Sequence, residues 1–570
     1  MPTISYPFTL VVQGKGTETF TDTCYVAAGG EGTILKKGGK AYKIYHDEKK
    51  MIPVDKIQEL QALSQYNNIL GPLDVLFDFK RQKVPIGFSM LYIKDTEFLC
   101  RLFNQNFKND NNISPDMVVK LVRKMQETLL SIHTNKILVV DFNEMNFLMD
   151  KATYTLPYFI DVDSYQTPSH HATAIMESIR DRKVKNNQWT ELSDWFSFGV
   201  VAFQLYMGVH PYRGGHPSFQ PNQWPERMEK NISVFNKDAK LPPNCPKFDT
   251  IPKPHLDWFK SIFEQGDRSI PPMPDGVITV AIIRPTLASS TGKFEVKELA
   301  EFKDLIRSVS FFNGYTYYVT SRAVFKGPMK FFDPSLPKLP RIGLVDVPNS
   351  SPLLIFKNGD TIYFKDEKGT EYGTINADDA MEFNGRLYAL RGDTLYENFF
   401  ENFNKPIHMV KRLCNVFEST TKLFKGVAVQ DILGKCWIAI PFRPGACINI
   451  PVPELDGYRI VDAKYENCFC VLMAEKKGKY SRFVIQFDGL HTIYSCRKTE
   501  DTNLDSINFT VNAKGVCVLA IEDYKAEVFK DNNKIYEFDS PPFSSSTRLL
   551  TDGMSVMFIS SNKLYSVNMK

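Results

Sequence analysis

No two cysteines of this chain stand in C-x-x-C spacing, no lysine and arginine tract interrupts it, and no apolar run reaches the length of a membrane span. Each absence removes a class of function. The ten cysteines are scattered from Cys24 to Cys517, which excludes a structural zinc site of the usual paired spacing. Cys468 and Cys470 would share one face of a strand, but within "NCFCVLM" they read as buried thiols, which pack as small hydrophobes. The nine histidines show no ligand spacing either, and "SHH" at 169–171 reads as an exposed loop. A net charge of +4, spread thinly, gives no reason to expect a nucleic-acid partner. The apolar stretch "FSFGVVAFQLYM" is too short to cross a bilayer, so no membrane partner is expected. The opening "MPTISYPFTLVVQGKGTETF" lacks the basic start, apolar run and cleavage site of a secretory signal, and the expected location is the cytoplasm.

What the chain does have is length enough for two or three cores, at 570 residues, and an ordinary globular composition of 43% hydrophobic and 24% charged residues. Up to about Pro274 strands mix with long helices. "SPDMVVKLVRKMQETLLSIHTNK" predicts a helix with Ser114 as N-cap, Pro115 at the first helical position, and an apolar stripe of Val118, Leu121, Val122, Met125, Leu129 and Ile132. "LSDWFSFGVVAFQLYMG" is apolar nearly all round and predicts a helix at the centre of a helical lobe. Residues 276–305 read as a connection with one or two short elements. From 306 to 570 short aromatic and β-branched runs alternate with turns, with Asn-Gly and Asp-Gly as hairpin signals, as in "NGYTYYVT", "NGRLYAL" and "FVIQFDG". Because "GDTIY" and "GDTLY" nearly repeat, as do "NKIY" and "NKLY", the expectation is a β-propeller of five to seven blades, with a β-sandwich or paired β-domains as the alternative.

Four signals follow one another in the first half. In "YVAAGGEGTILKKGGKAYKIY", Gly29, Gly30 and Gly32 form a turn able to aim backbone N–H groups at phosphate oxygens, though a plain hairpin would look the same. On the following strand Ala41, Lys43 and Tyr45 share a face by the period of two. The next signal is "VDKIQELQALSQYNNIL", which predicts a helix whose Glu59 would pair with Lys43; Asp55 on the same helix could substitute. Third comes "GFSMLYIKDTEFLCRL", where the backbone of Leu91 and Ile93 would meet an adenine edge, Met90 would line the wall and Glu97 would reach a ribose. Last, "KILVVDFNEMNFLMD" and "YFIDVDSYQ" supply Asp141, Asn146 and Asp161, oxygen donors placed after buried runs, which suits magnesium. Burying such carboxylates without a partner would cost several kcal/mol.

These motifs resemble the eukaryotic-type serine/threonine protein kinase catalytic domain, in the form found in bacteria and bacteriophages, over roughly the first half of the chain. The resemblance implies an α+β bilobal fold, with an N-lobe of about 1–90 and a C-lobe of about 91–275, that uses ATP and magnesium. "AAGGEGTI", with Glu31 and Ile34, matches the glycine-rich loop; Lys43 in "AYKIY" matches the lysine on the phosphates; Leu148 would floor the adenine. Asp141 and Asn146 match the catalytic-loop aspartate and asparagine, and "DVD" stands for D-F-G, with Asp161 or Asp163 as the metal ligand beside Asn146. Asp194 in "DWFSFG" would accept hydrogen bonds from the catalytic-loop backbone. The chain departs from the pattern at Val139 and Val140, in place of His and Arg, and at Asn143, in place of the lysine that contacts the γ-phosphate. No A-P-E lies between 164 and 193. The implied function is phosphoryl transfer to protein serine or threonine, with the β-domain recruiting a substrate or partner. The alternatives are a pseudokinase scaffold and a small-molecule kinase.

Overall fold

The computed structural model describes residues 4–29, 31–172, 175–242, 245–274, 294–332, 343–504, 506–522, 525–532, 534–539 and 541–569. The chain divides into two compact units, Met1–Lys108 with Asn112–Ile283, and Arg284–Lys570 with Asn109–Asn111.

The first unit begins as an antiparallel sheet of seven strands: β1 (Phe8–Val12), β2 (Gly16–Phe20), β3 (Tyr25–Ala28), β4 (Gly32–Lys37), β5 (Lys40–Tyr45), β6 (Asp74–Asp78) and β7 (Pro85–Leu91). Their spatial order is β2-β1-β6-β7-β5-β4-β3, which puts the Lys43 strand between the glycine-turn hairpin and β7. A single short helix, α1 (Val54–Leu60), packs Ile57 against Tyr45, Val75 and Phe88 of this sheet.

The remainder of the unit is mainly helical: α2 (Gln105–Asp110), α3 (Pro115–Thr134), α4 (Glu191–Met207), α5 (Trp224–Glu229) and α6 (Lys253–Lys260). Helix α3 starts where the sequence predicts. The Ser114 side chain accepts from the Met117 amide at 3.3 Å, proline occupies the first position where no N–H is needed, and the whole apolar stripe is buried. Helix α4 is entered through a reciprocal Thr190–Ser193 cap and left at Gly208, which adopts the left-handed conformation with φ 71°. Its buried faces are nearly continuous, as expected for a central helix. A small sheet, β10-β9-β8, joins β8 (Thr96–Phe98), β9 (Phe147–Asp150) and β10 (Pro157–Phe159).

The second unit is all-β. Its described residues form seven four-stranded antiparallel sheets in chain order. Two-residue Asn-Gly turns close the hairpins at Asn313-Gly314 and Asn384-Gly385, with positive φ at both positions, the twist that matches right-handed strands. Apolar clusters join successive sheets. One unites Ile306 and Tyr318 with Met557 and Leu564; others link 312–354, 345–400, 381–487, 469–529 and 518–567, so that the last sheet shares a cluster with the first.

One expectation needs correction. Of the connection read at 276–305, residues 276–293 lie outside the described residues, and Phe294–Glu301 is a strand that belongs to the β unit. It pairs antiparallel with the final strand, Lys563–Met569, Val296 opposite Val567. The physical reason is the unpaired edge that Lys563–Met569 would otherwise present. Cys468 is half-buried, Cys470 is buried, and all ten cysteines are free thiols. No described helix is long and apolar enough to cross a membrane.

Candidate functional site

Strand pairing sets the position of Lys43. It sits at the middle of β5, opposite Ile34 of β4 and Phe88 of β7. The close approach of β7 depends on Gly87: a Cβ there would lie 1.9 Å from the Lys43 carbonyl oxygen. Gly32 serves the same purpose on the other side, where a Cβ would lie 2.6 Å from the Ile44 carbonyl oxygen. Glycine at these two places therefore lets the sheet close around the lysine, a role the sequence alone did not suggest for Gly87. Gly29 donates its amide to the Gly32 carbonyl at 2.9 Å, closing the turn; Gly30 lies outside the described residues.

The buried Lys43 ammonium is 2.5 Å from Asp163 Oδ2, 3.3 Å from Asp161 Oδ1 and 3.9 Å from Glu31 Oε2. Tyr45, two positions along the same face, donates its hydroxyl to Asp163 Oδ2 at 2.5 Å. Burial by itself would lower the Lys43 pKa, but Asp163 and Asp161 outweigh it and hold the ammonium above its ordinary value. Burial would likewise raise Asp163; Lys43 prevails and holds that carboxyl below the usual range. The two aspartates of "DVD" thus differ in environment. The Asp163 side chain is 4% exposed with two donors on its Oδ2, while that of Asp161 is 42% exposed, presented by a left-handed residue with φ 58°.

The expected pairing of Lys43 with Glu59 does not form. Glu59 Oε2 lies instead 3.6 Å from His170 Nδ1 and accepts from the Ser169 amide at 3.4 Å, and those contacts with Thr167 and Ser169 hold its carboxyl down at about 2. Asp55 also turns to His170, at 3.4 Å. The reason lies one turn earlier on α1, where Lys56 is buried and donates to the backbone carbonyl of Asp163 at 2.8 Å. The helix thereby offers a cation to the site where the resemblance called for an acid. "SHH", read as an exposed loop, includes this His170 link to α1.

Asp141 and Asn146 are positioned from below. The Asp194 carboxylate, fully buried in α4, accepts from the amides of Val139 at 2.8 Å and Val140 at 2.9 Å and lies 3.0 Å from the His133 ring. Val140 has φ 62°, a conformation that costs a β-branched residue about 1–3 kcal/mol and survives because these bonds over-determine it. The chain then delivers Asp141, whose Oδ1 accepts from the Met176 amide at 2.8 Å and whose carboxyl burial pushes upward. Asn146 donates its side-chain amide to the Asp141 carbonyl at 3.0 Å. The β9–β10 hairpin opposes Phe147 and Phe159, and the Ile160 amide reaches the Asn146 carbonyl at 3.0 Å, so Asn146 and Asp161 end up on adjoining loops. Asn143 is buried, its side chain accepting from the Met145 amide at 2.8 Å.

The residues expected around an adenine occupy β4, β5, β7, the small sheet and, for Ile93, the segment between β7 and β8. Buried Ala41 opposes Met90 across β5 and β7; Ile34, Met90, Leu91, Ile93 and Leu148 are half-buried; the Tyr92 amide between Leu91 and Ile93 donates to the Gly39 carbonyl at 3.1 Å. Glu97 faces Met149 in β8–β9, and its carboxylate accepts from the Phe98 amide at 3.1 Å. Among the described residues no group of three His, Cys, Asp or Glu side chains is arranged to hold a metal. The donor chemistry near Lys43 is an exposed carboxylate at Asp161 with the amide oxygen of Asn146 on the next loop, a hard-oxygen pair that suits magnesium completed by water and phosphate.

The segment after "DVD" lacks an A-P-E but is firmly anchored. Asp181, 3% exposed, receives a two-pronged pair from Arg268, at 2.7 Å from Nε and 2.6 Å from Nη2. His210 donates to the Ser178 carbonyl at 2.8 Å, and Ser197 of α4 to the Ile179 carbonyl at 2.8 Å. These partners are 87 residues apart for the ion pair, beyond any local pattern. Replacing Asp181 by alanine leaves a guanidinium without its carboxylate and is expected to destabilise the first unit by about 3 kcal/mol. Denaturant unfolding would check this; a change under 1 kcal/mol would mean that the carbonyl acceptors of Arg268 suffice.

No protein-family model matches the chain, and no curated protein does. Among solved structures, the Cydia pomonella granulovirus kinase PK-1 is similar, at 13% sequence identity and a TM-score of 0.32, over 42% of this chain and 85% of that one.

Proposed function

We propose that the first unit is a protein-kinase-like enzyme that transfers the terminal phosphoryl group of ATP to serine or threonine hydroxyls of a protein in the cytoplasm. The observation that carries this reading is the contact of Lys43 on β5 with Asp161, two residues past β10, next to a loop held by Asp194 on which the Asn146 side chain bonds the Asp141 carbonyl and the Asn146 carbonyl takes the Ile160 amide. Lys43 would hold phosphate oxygens as a point charge, already extended into the site by carboxylates. Asp141, with one oxygen fixed by Met176, would orient an acceptor hydroxyl and take its proton. Asn146 and Asp161 would hold magnesium, which when bound offsets the charge of the phosphates.

In the same proposal the second unit is a β-propeller of seven blades that recruits a substrate or partner. Its support is the ring of apolar clusters together with the shared sheet of first and last strands.

The test is direct. Purified full-length protein should transfer phosphate from ATP to a generic protein acceptor only with magnesium. ATP at a hundredfold excess over its Kd should stabilise the first unit by about 2.7 kcal/mol, again only with magnesium. Neither transfer nor stabilisation would reject the enzyme. Buried Asn143, where a lysine would contact the γ-phosphate, favours a second reading, a scaffold that binds nucleotide without turnover. Stabilisation without transfer would select it.

A further inference from the structure

We infer that Asp163 is the positioning residue for Lys43, taking over the counter-ion place that the helix acid vacates, and that Asp161 alone of the "DVD" pair faces the phosphates and their cation. The inference rests on the kinase reading for its chemistry, but its geometry stands by itself. Three donors converge on Asp163: the Lys43 ammonium and the Tyr45 hydroxyl on its carboxylate, both at 2.5 Å, and Lys56 on its backbone carbonyl at 2.8 Å.

Helix α1 is inverted in sign relative to what its neighbours need. Its buried charged residue, Lys56, is a cation, and its acids Asp55 and Glu59 are drawn off to His170. Two buried ammonium groups both reach Asp163, Lys43 at its carboxylate and Lys56 at its backbone carbonyl, and a carboxylate there offsets charge that would be costly unpaired away from water. Asp163 is that carboxylate, and with Lys43 and Tyr45 already on it, its Oδ2 is occupied. Asp161 stands differently. It is ten times more exposed at the side chain, it bonds Lys43 only at 3.3 Å, and it adjoins Asn146 through the Ile160 amide. The glycine of an ordinary D-F-G could not supply this anion, so the third residue of the motif and Lys56 read as one exchange: the acid has moved from the helix to the loop.

Such an exchange can be reversed. In the full-length protein, Asp163→Gly should lower kcat/KM for magnesium-ATP by about 10²-fold, the scale for misplacing a reacting group by about 1 Å. Adding Lys56→Glu to that variant returns an acid from α1 to the same place, and should restore at least tenfold. The magnesium concentration for half-maximal rate should stay within about twofold throughout. Asp163→Asn, close in volume, covers the event that the glycine variant does not fold.

A second readout does not need activity. Acetylation of Lys43 by an amine-directed reagent, followed by peptide mass spectrometry, should be slow in the wild type, at least tenfold faster in Asp163→Gly or Asp163→Asn, and slow again in the double variant. Equal labelling of Lys43 in all of them overturns the inference whether or not the protein transfers phosphate. A tenfold rise in the magnesium requirement with no recovery from Lys56→Glu also overturns it, and makes Asp163 a metal ligand. The expected labelling pattern in a wild type that transfers nothing would uphold the pairing and reject the enzyme.

Discussion

Replacing Asp141 by asparagine is expected to lower kcat by about 10²- to 10⁴-fold, the range for loss of a positioned general base. The substitution changes charge and basicity but little else. An asparagine Oδ1 can still accept from the Met176 amide, and the backbone on either side remains held by Asp194 and Asn146. The melting temperature should therefore stay within a degree or two of the wild type, while KM for ATP should change little if, as proposed, Asp141 serves the acceptor. Phosphate transfer measured in single turnovers separates these quantities. Equal rates for wild type and variant would remove Asp141 from the chemistry. A loss of rate accompanied by a large fall in melting temperature would assign it to folding instead.

The second large effect concerns the β unit. Deleting Phe294–Glu301 from the full-length chain is expected to lower the melting temperature of that unit by about 10 °C or more, since several kcal/mol of buried contacts are lost and each kcal/mol is worth about 2–4 °C at this size. Phe294 is 5% exposed and lies in the cluster with Ala526, Phe543, Phe558 and Val567, while the strand supplies every ladder partner on its side of Lys563–Met569. Hydrogen exchange would report it locally: amides of 563–569 should lose protection first. Replacing the exposed Glu298, which bonds Lys563 at 2.8 Å, by alanine is the control and should cost under about 1 kcal/mol. Unchanged protection of 563–569 after the deletion would show that the remaining strands hold the last sheet without it.

Much of this protein is written locally. The Ser114-Pro115 start and apolar stripe of α3, the all-round apolarity of α4, and the Asn-Gly turns of the β unit follow from capping, helical period and turn chemistry, which act within a few residues. The order of Lys43, Asp141, Asn146 and Asp161 along the chain was legible too, because Lys43 follows a glycine hairpin and the other three follow buried runs.

What only the tertiary structure decided is who meets whom. Lys43 and Asp163 are 120 positions apart, Lys56 and the Asp163 carbonyl 107, Arg268 and Asp181 87. Nothing in a heptad or an alternating pattern says which of several acids a lysine will reach; packing of α1 on the sheet turned Lys56 inward and left Glu59 to His170. The same holds for Phe294–Glu301, whose own text reads as a connection. Only the open edge of a strand nearly 270 residues later makes it part of a sheet, since an unpaired backbone is satisfied by whatever the fold brings beside it.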